Sequence, residues 1–125
     1  MRLDSAAGRR GVSVLGWGDR KEPLPPEVMC SSVGQGALGI ETRTSGPGHD
    51  ACAALDHADT RAAVTAERAL LAALGGGCQV PIGAYAIVAG GLLNIVAVVA
   101  SPDGAELVRG HSEGPGAEPS VSSLR

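Results

Sequence analysis

The chain has 125 residues and a mass of 12.4 kDa, the size of one ordinary domain. A formal net charge of -3 and a pI near 5.5 give no basic field that would draw it to nucleic acid, and Trp17 and Tyr85, its only aromatics, make no platform for stacking bases. Three cysteines, at positions 30, 52 and 78, form neither a disulfide framework nor a zinc spacing.

The N-terminal stretch MRLDSAAGRRG carries charge without an apolar core, so no signal peptide is expected there. The apolar run 87–100 is interrupted by Gly90, Gly91 and Asn94 and is too short to span a bilayer. A reducing cytoplasm is the expected compartment.

Residues 1–27 show little pattern beyond a short strand signal around Val12, Val14 and Leu15, and they read as a loose arm. A strand is expected over residues 37–41, entered through Gly34, Gln35 and Gly36. That glycine pair points to a turn, or to close approach of backbone to a ligand. TSGPG, residues 44–48, has the composition of a linker and marks the expected domain boundary.

A short helix is expected over residues 49–56 and a longer one over 60–74, capped by Asp59 or Thr60. Ala63, Ala66, Leu70 and Leu74 recur at spacings of three and four and form its apolar stripe, which Val64 and Leu71 widen. Glu67 and Arg68 are expected together on another side, and Gly75 stops the helix.

The segment LGGGCQVPIG, residues 74–83, joins this helix to a strand, with Cys78 between three glycines and Pro81. Pro81 fixes its own φ and biases Val80 away from helix, so Cys78 sits on a connection of restricted shape. A thiol held in that way could be a nucleophile or carry a covalent group, or it could pack as a small apolar residue.

Strands are expected over residues 84–89, 92–100 and 105–109, joined by a Gly90-Gly91 turn and by Ser101-Pro102-Asp103-Gly104. Two tight turns make an antiparallel meander. With the helices on one face, the expected fold is a small α+β domain with a three-stranded antiparallel sheet. Residues 110–125 have the composition of a flexible tail. His49, His57 and His111 share no metal-ligand spacing, and Cys30, Ser31 and Ser32 have no local base to activate them.

Three blocks, in order, resemble the C-terminal part of the porphobilinogen deaminase (hydroxymethylbilane synthase) family. They are LPPEVM (24–29) followed by VGQGALGIETR (33–43), then VTAERALLAALGGGCQVPIGAYA (64–86), then SPDG (101–104) with LVRG (107–110) after it. The resemblance implies transferase chemistry in tetrapyrrole (porphyrin, heme) biosynthesis: four porphobilinogen units are condensed stepwise to hydroxymethylbilane.

It also implies that Cys78 bears a thioether to a dipyrromethane cofactor, with backbone N–H groups of Gly77, Cys78 and Gln79 near cofactor carboxylates. Gly34, Gln35 and Gly36 would line the catalytic cleft and contact the same cofactor. Arg43 and Arg68 would either bind an acidic side arm or hold domains together. By resemblance, residues 1–43 are a remnant of the N-terminal catalytic domains, preceding the linker 44–48. Residues 49–110 are the cofactor-attachment domain and 111–125 a tail. The implied partners are porphobilinogen and the growing pyrrole chain, with no nucleic acid and no membrane, and the full-length family is usually monomeric.

The chain departs from the family pattern in ways that set a further expectation. The segment bearing the family's catalytic aspartate is not represented, Thr42 stands where the family commonly has cysteine, and Cys30-Ser31-Ser32 replaces an apolar-proline stretch. Ten Lys and Arg, on a chain of net charge -3, are few for a cleft that binds a polyanion. The chain is therefore expected to be a truncated member, weak or inactive alone. The alternative is a non-catalytic cofactor carrier or interaction domain.

Overall fold

The computed structural model describes residue 16, residues 24–75 and residues 81–115. Two helices, α1 (Pro47–Ala53) and α2 (Ala58–Ala73), precede three strands, β1 (Ile82–Ala89), β2 (Leu92–Ala100) and β3 (Leu107–Pro115). The strands form one antiparallel sheet in the order β1-β2-β3. This is the small α+β arrangement expected, helices against a three-stranded antiparallel sheet.

Helix α1 starts earlier than the spacing predicts, because Pro47 sits at its first position with φ already set for helix. It contributes no buried residue. The cap of α2 is His57, rather than Asp59 or Thr60: its side chain accepts from the Thr60 N–H at 3.3 Å. Asp59 instead falls in the first turn, where a carboxylate complements the positive end of the helix dipole. Asp56 and Arg61 form an ion pair across the same helix start. Gly75, at φ 64, ends the helical segment as expected.

Gly90 and Gly91 have φ of 59 and 80 and close the β1–β2 hairpin. Two consecutive positive φ values match the twist of the flanking strands, and glycine reaches them without steric cost. The β2–β3 connection is held by side chains. Ser101 Oγ donates to Asp103 Oδ1 at 2.5 Å, the Ala105 N–H donates to the same oxygen at 3.1 Å, and the Gly104 N–H bonds Ser101 O at 2.9 Å. The Ser101 hydroxyl first, then the Ala105 N–H, hold the Asp103 carboxyl below its ordinary value.

Strand β3 runs six residues past Arg109, through residues first read as the start of a tail. All nine of its residues pair with β2, from Ala100↔Leu107 to Leu92↔Pro115. Gly110, His111, Ser112 and Glu113 have weak strand preference. An adjacent apolar strand of equal length supplies a continuous ladder, and the ladder overrides that preference.

The core lies between α2 and one face of the sheet. Ala63, Ala66 and Leu70 of α2 meet Ala84 and Ala86 of β1 and Leu93 and Ile95 of β2. Alanine on both sides lets helix and sheet approach closely, which suits a chain without phenylalanine. Leu74, expected in this stripe, caps the helix end and is 47% exposed.

The segment before α1 wraps around the free edge of β1. On the face away from α2, the Arg109 guanidinium donates to Pro26 O at 3.3 Å, and the Cys30 thiol donates to Val96 O at 3.7 Å. At the edge, Ser31 O accepts the Ala84 N–H at 2.9 Å, and Ser32 bridges to Gly83. Val33 then packs against the core from the helix side. Gly83 lets the two backbones approach closely here: a Cβ would lie 3.1 Å from Ser31 O and 3.2 Å from Cys30 O, so a side chain would have to push the wrapped segment back by a few tenths of an ångström.

The strand expected over residues 37–41 does not form. Leu38 and Ile40 are exposed there, and the stretch has no strand partner among the described residues. The nearby free edge of β1 is already occupied, by Ser31 and by a side chain described below. The strand signal around Val12–Leu15 lies outside the described residues.

Candidate cofactor-attachment site

The expected attachment residues Gly77, Cys78 and Gln79 lie outside the described residues; what the structure describes is the frame that holds both ends of their connection. One end is the C-terminus of α2, closed by Gly75. The other is Pro81, one residue before β1, whose carbonyl accepts the Ala100 N–H at 2.9 Å. That bond ties the entry of β1 to the end of β2. Gly75 and Pro81 are both exposed.

The other expected site residues, Gly34, Gln35 and Gly36, form two overlapping turns. The Gln35 N–H bonds Ser32 O at 3.1 Å and the Ala37 N–H bonds Gly34 O at 3.3 Å. Gly34 and Gly36 have φ of 71 and 88, values that L side chains rarely adopt. The Gln35 side chain turns back on the same loop: its Oε1 accepts the Ser32 N–H at 3.1 Å.

A residue that the sequence reading placed on another side of α2 joins the turn to the frame. Glu67 is 1% exposed. Its Oε2 accepts the Gly34 N–H at 2.8 Å and its Oε1 accepts the Ala86 N–H at 2.7 Å. One carboxylate thus fastens the 33–36 turn to the helix that precedes the Cys78 connection and to the strand that follows it. Glu67 lies eight residues before Gly75, roughly 12 Å along the helix axis.

The signal for its burial is in the spacing. Positions 63, 66, 67 and 70 are one helical face, so Glu67 shares the face of Ala63 and Leu70. The general expectation that a glutamate is solvated points the other way. Two backbone N–H groups, each needing an acceptor, decide the matter.

Among the described residues the cations are Arg43, Arg61, Arg68 and Arg109. Arg61 pairs with Asp56 and Arg109 reaches Pro26 O, while the exposed Arg43 and Arg68 are not gathered into any described pocket. For a cofactor bearing several carboxylates, the described part of this frame supplies a rigid mount and little positive charge. Burial pushes the Cys30 thiol up; the nearby Arg109 charge opposes this, and Glu67 and Glu27 add to it. Cys30 belongs to the wrapped segment, its thiol turned to the sheet at Val96 O. No helix among the described residues is long and apolar enough to cross a membrane.

Residues 61–122 match the family model described as porphobilinogen deaminase, C-terminal domain. The matched stretch runs from the first turns of α2 through the Cys78 connection and all three strands. Over this stretch the chain is similar to the porphobilinogen deaminase C-terminal domain.

Proposed function

We propose that this chain provides the cofactor-attachment domain of a porphobilinogen deaminase, with the Cys78 sulfur bound as a thioether to dipyrromethane. The observation that carries the reading is the family match over 61–122, which contains GGCQVPIG on a helix-to-strand connection. When bound, the dipyrromethane supplies the pyrrole primer on which porphobilinogen is condensed to hydroxymethylbilane. The reaction belongs to tetrapyrrole biosynthesis, and its compartment is the cytoplasm.

The chain's own part is to hold a soft nucleophile in place. Gly75 ends α2 and Pro81 sets the entry to β1, so the thiol is carried between two fixed points. Backbone N–H groups of Gly77 and Gln79 are candidates to meet cofactor carboxylates. Gly34, Gln35 and Gly36 contribute a turn whose place relative to the domain is set by Glu67.

Charge argues that the 125-residue chain is weak or inactive alone. With ten Lys and Arg and net charge -3, it offers little to offset a substrate bearing two carboxylates. The same observation favours a second reading, a cofactor carrier or interaction domain without turnover of its own.

Two preparations test the proposal. The 125-residue chain incubated with porphobilinogen is expected to gain no mass and to release negligible hydroxymethylbilane. A chimera in which residues 44–125 replace the C-terminal domain of an active porphobilinogen deaminase is expected to gain covalent dipyrromethane. A well-folded chimera that stays unloaded overturns the attachment role. Loading without turnover selects the carrier reading.

A further inference from the structure

The β2–β3 connection holds Asp103-Gly104, the only place in the sequence where an aspartate or asparagine is followed by glycine. Every other aspartate, and Asn94, precedes a residue with a Cβ. Glycine has no side chain to shield its nitrogen from the preceding carboxyl. Both residues of the pair are exposed, and Gly104 sits at φ 72 in a turn that Pro102 enters.

We propose that Asp103-Gly104 is a latent isoaspartate-forming site, held closed by the hydrogen bonds of the folded turn. In the reaction the Gly104 nitrogen attacks Asp103 Cγ. An N–C bond forms, the bond from Cγ to its hydroxyl breaks, and water leaves with the amide proton. Hydrolysis of the cyclic imide then returns a water. Opening at the side-chain carbonyl restores aspartate, and opening at the main-chain carbonyl leaves the chain running through Cγ. Nothing is oxidised or reduced, and water is the only co-reactant.

Both reacting groups are engaged elsewhere in the folded turn. The Gly104 N–H donates to Ser101 O at 2.9 Å. Asp103 Oδ1 accepts from the Ser101 hydroxyl at 2.5 Å and from the Ala105 N–H at 3.1 Å. Attack requires the nitrogen to leave its acceptor and the carboxyl to turn away from two donors. Those donors also favour the ionised carboxylate, from which oxygen leaves poorly. Ser101 is fixed in turn, because its hydroxyl accepts the Glu106 N–H at 2.9 Å. Opening of the turn, rather than exposure, therefore sets the rate.

Isoaspartate lengthens the main chain between Ser101 and Glu106, whose backbones meet through the Ser101 N–H and Glu106 O at 2.9 Å. The neighbouring Ala100 donates to Pro81 O at the entry to β1. The change thus begins beside that tie, and the reaction itself is independent of the chemistry of Cys78.

Ageing the 125-residue chain at neutral pH, with and without urea, tests the proposal. Peptide mapping separates isoaspartate from aspartate at position 103 by retention at equal mass. The folded chain is expected to form isoaspartate about tenfold or more slowly than the unfolded chain, the effect of a few hydrogen bonds that must break first. Ser101→Ala, its fold checked by circular dichroism, is expected to close most of that gap. Asp103→Glu is expected to abolish the product, because the longer side chain closes a less favourable ring. Equal rates in the folded and unfolded chain overturn the proposal. So does an unfolded chain that forms no isoaspartate at position 103, or a folded Ser101→Ala that ages as slowly as the parent. If Ser101→Ala does not fold, the two rates of the unmodified chain still decide.

Discussion

Replacing Glu67 tests how the wrapped segment is held to the domain. In Glu67→Gln, the amide oxygen can still accept one of the two N–H groups. Its NH2 must then face the other, donor against donor. Losing one charge-assisted bond to a buried group costs about 1.5–3 kcal/mol. Glu67→Ala leaves the Gly34 and Ala86 N–H groups both without this acceptor, at about 1–3 kcal/mol each, or about 2–6 kcal/mol together. Against a usual total of about 5–15 kcal/mol, the alanine variant is severely weakened and the glutamine variant measurably so. Urea unfolding gives the free energies, and amide exchange at Gly34 and Ala86 locates the loss. The reasoning fails if both variants unfold within about 0.5 kcal/mol of the parent, the range of a neutral surface change.

Gly83→Ala places a Cβ against the Ser31 and Cys30 carbonyls and is expected to displace the wrapped segment, costing about 1–3 kcal/mol and accelerating iodoacetamide labelling of Cys30. In the parent, labelling of Cys30 near pH 8 should be slower than in the urea-unfolded chain, since its raised pKa and burial both deplete accessible thiolate. The Asp103 carboxyl, held below its ordinary 3.8, contributes stability that is present above that value and is lost as pH falls through its lower folded value. Asp103→Asn should therefore flatten the fall in stability on acidification from pH 5 to pH 3, seen by thermal melts at each pH; an unchanged acid slope contradicts the assignment.

What could be read from the chain were the features that local chemistry dictates. Gly75, Gly90, Gly91 and Gly104 all occupy positive φ, and each was expected at a helix end or a turn. Ala63, Ala66 and Leu70 were legible as one helical face because three- and four-residue spacing makes them so. The errors arose where a partner distant in sequence decides the outcome. Residues 110–115 look like a tail until the length of β2 is known. Residues 37–41 look like a strand but have no edge to join, since Ser31 and Glu67 already occupy that of β1. Glu67 shows the same logic in a side chain: it was expected on another side of α2, and the N–H groups that hold it inward are at positions 34 and 86. For the candidate site, the glycines and Pro81 marked Cys78 as a thiol on a restricted connection, and only the family-like block GGCQVPIG pointed from there to cofactor attachment, because a thiol on a short connection has no signature in periodicity.

The most direct test of the attachment role is a site-resolved mass measurement on the domain-replacement chimera, purified after growth with a porphobilinogen supply. Intact mass is expected to show the addition of two pyrrole units, peptide mapping to place it on the segment containing Cys78, and Cys78→Ser to abolish it. An unmodified Cys78 in a folded chimera would contradict the account, as would an addition that survives Cys78→Ser.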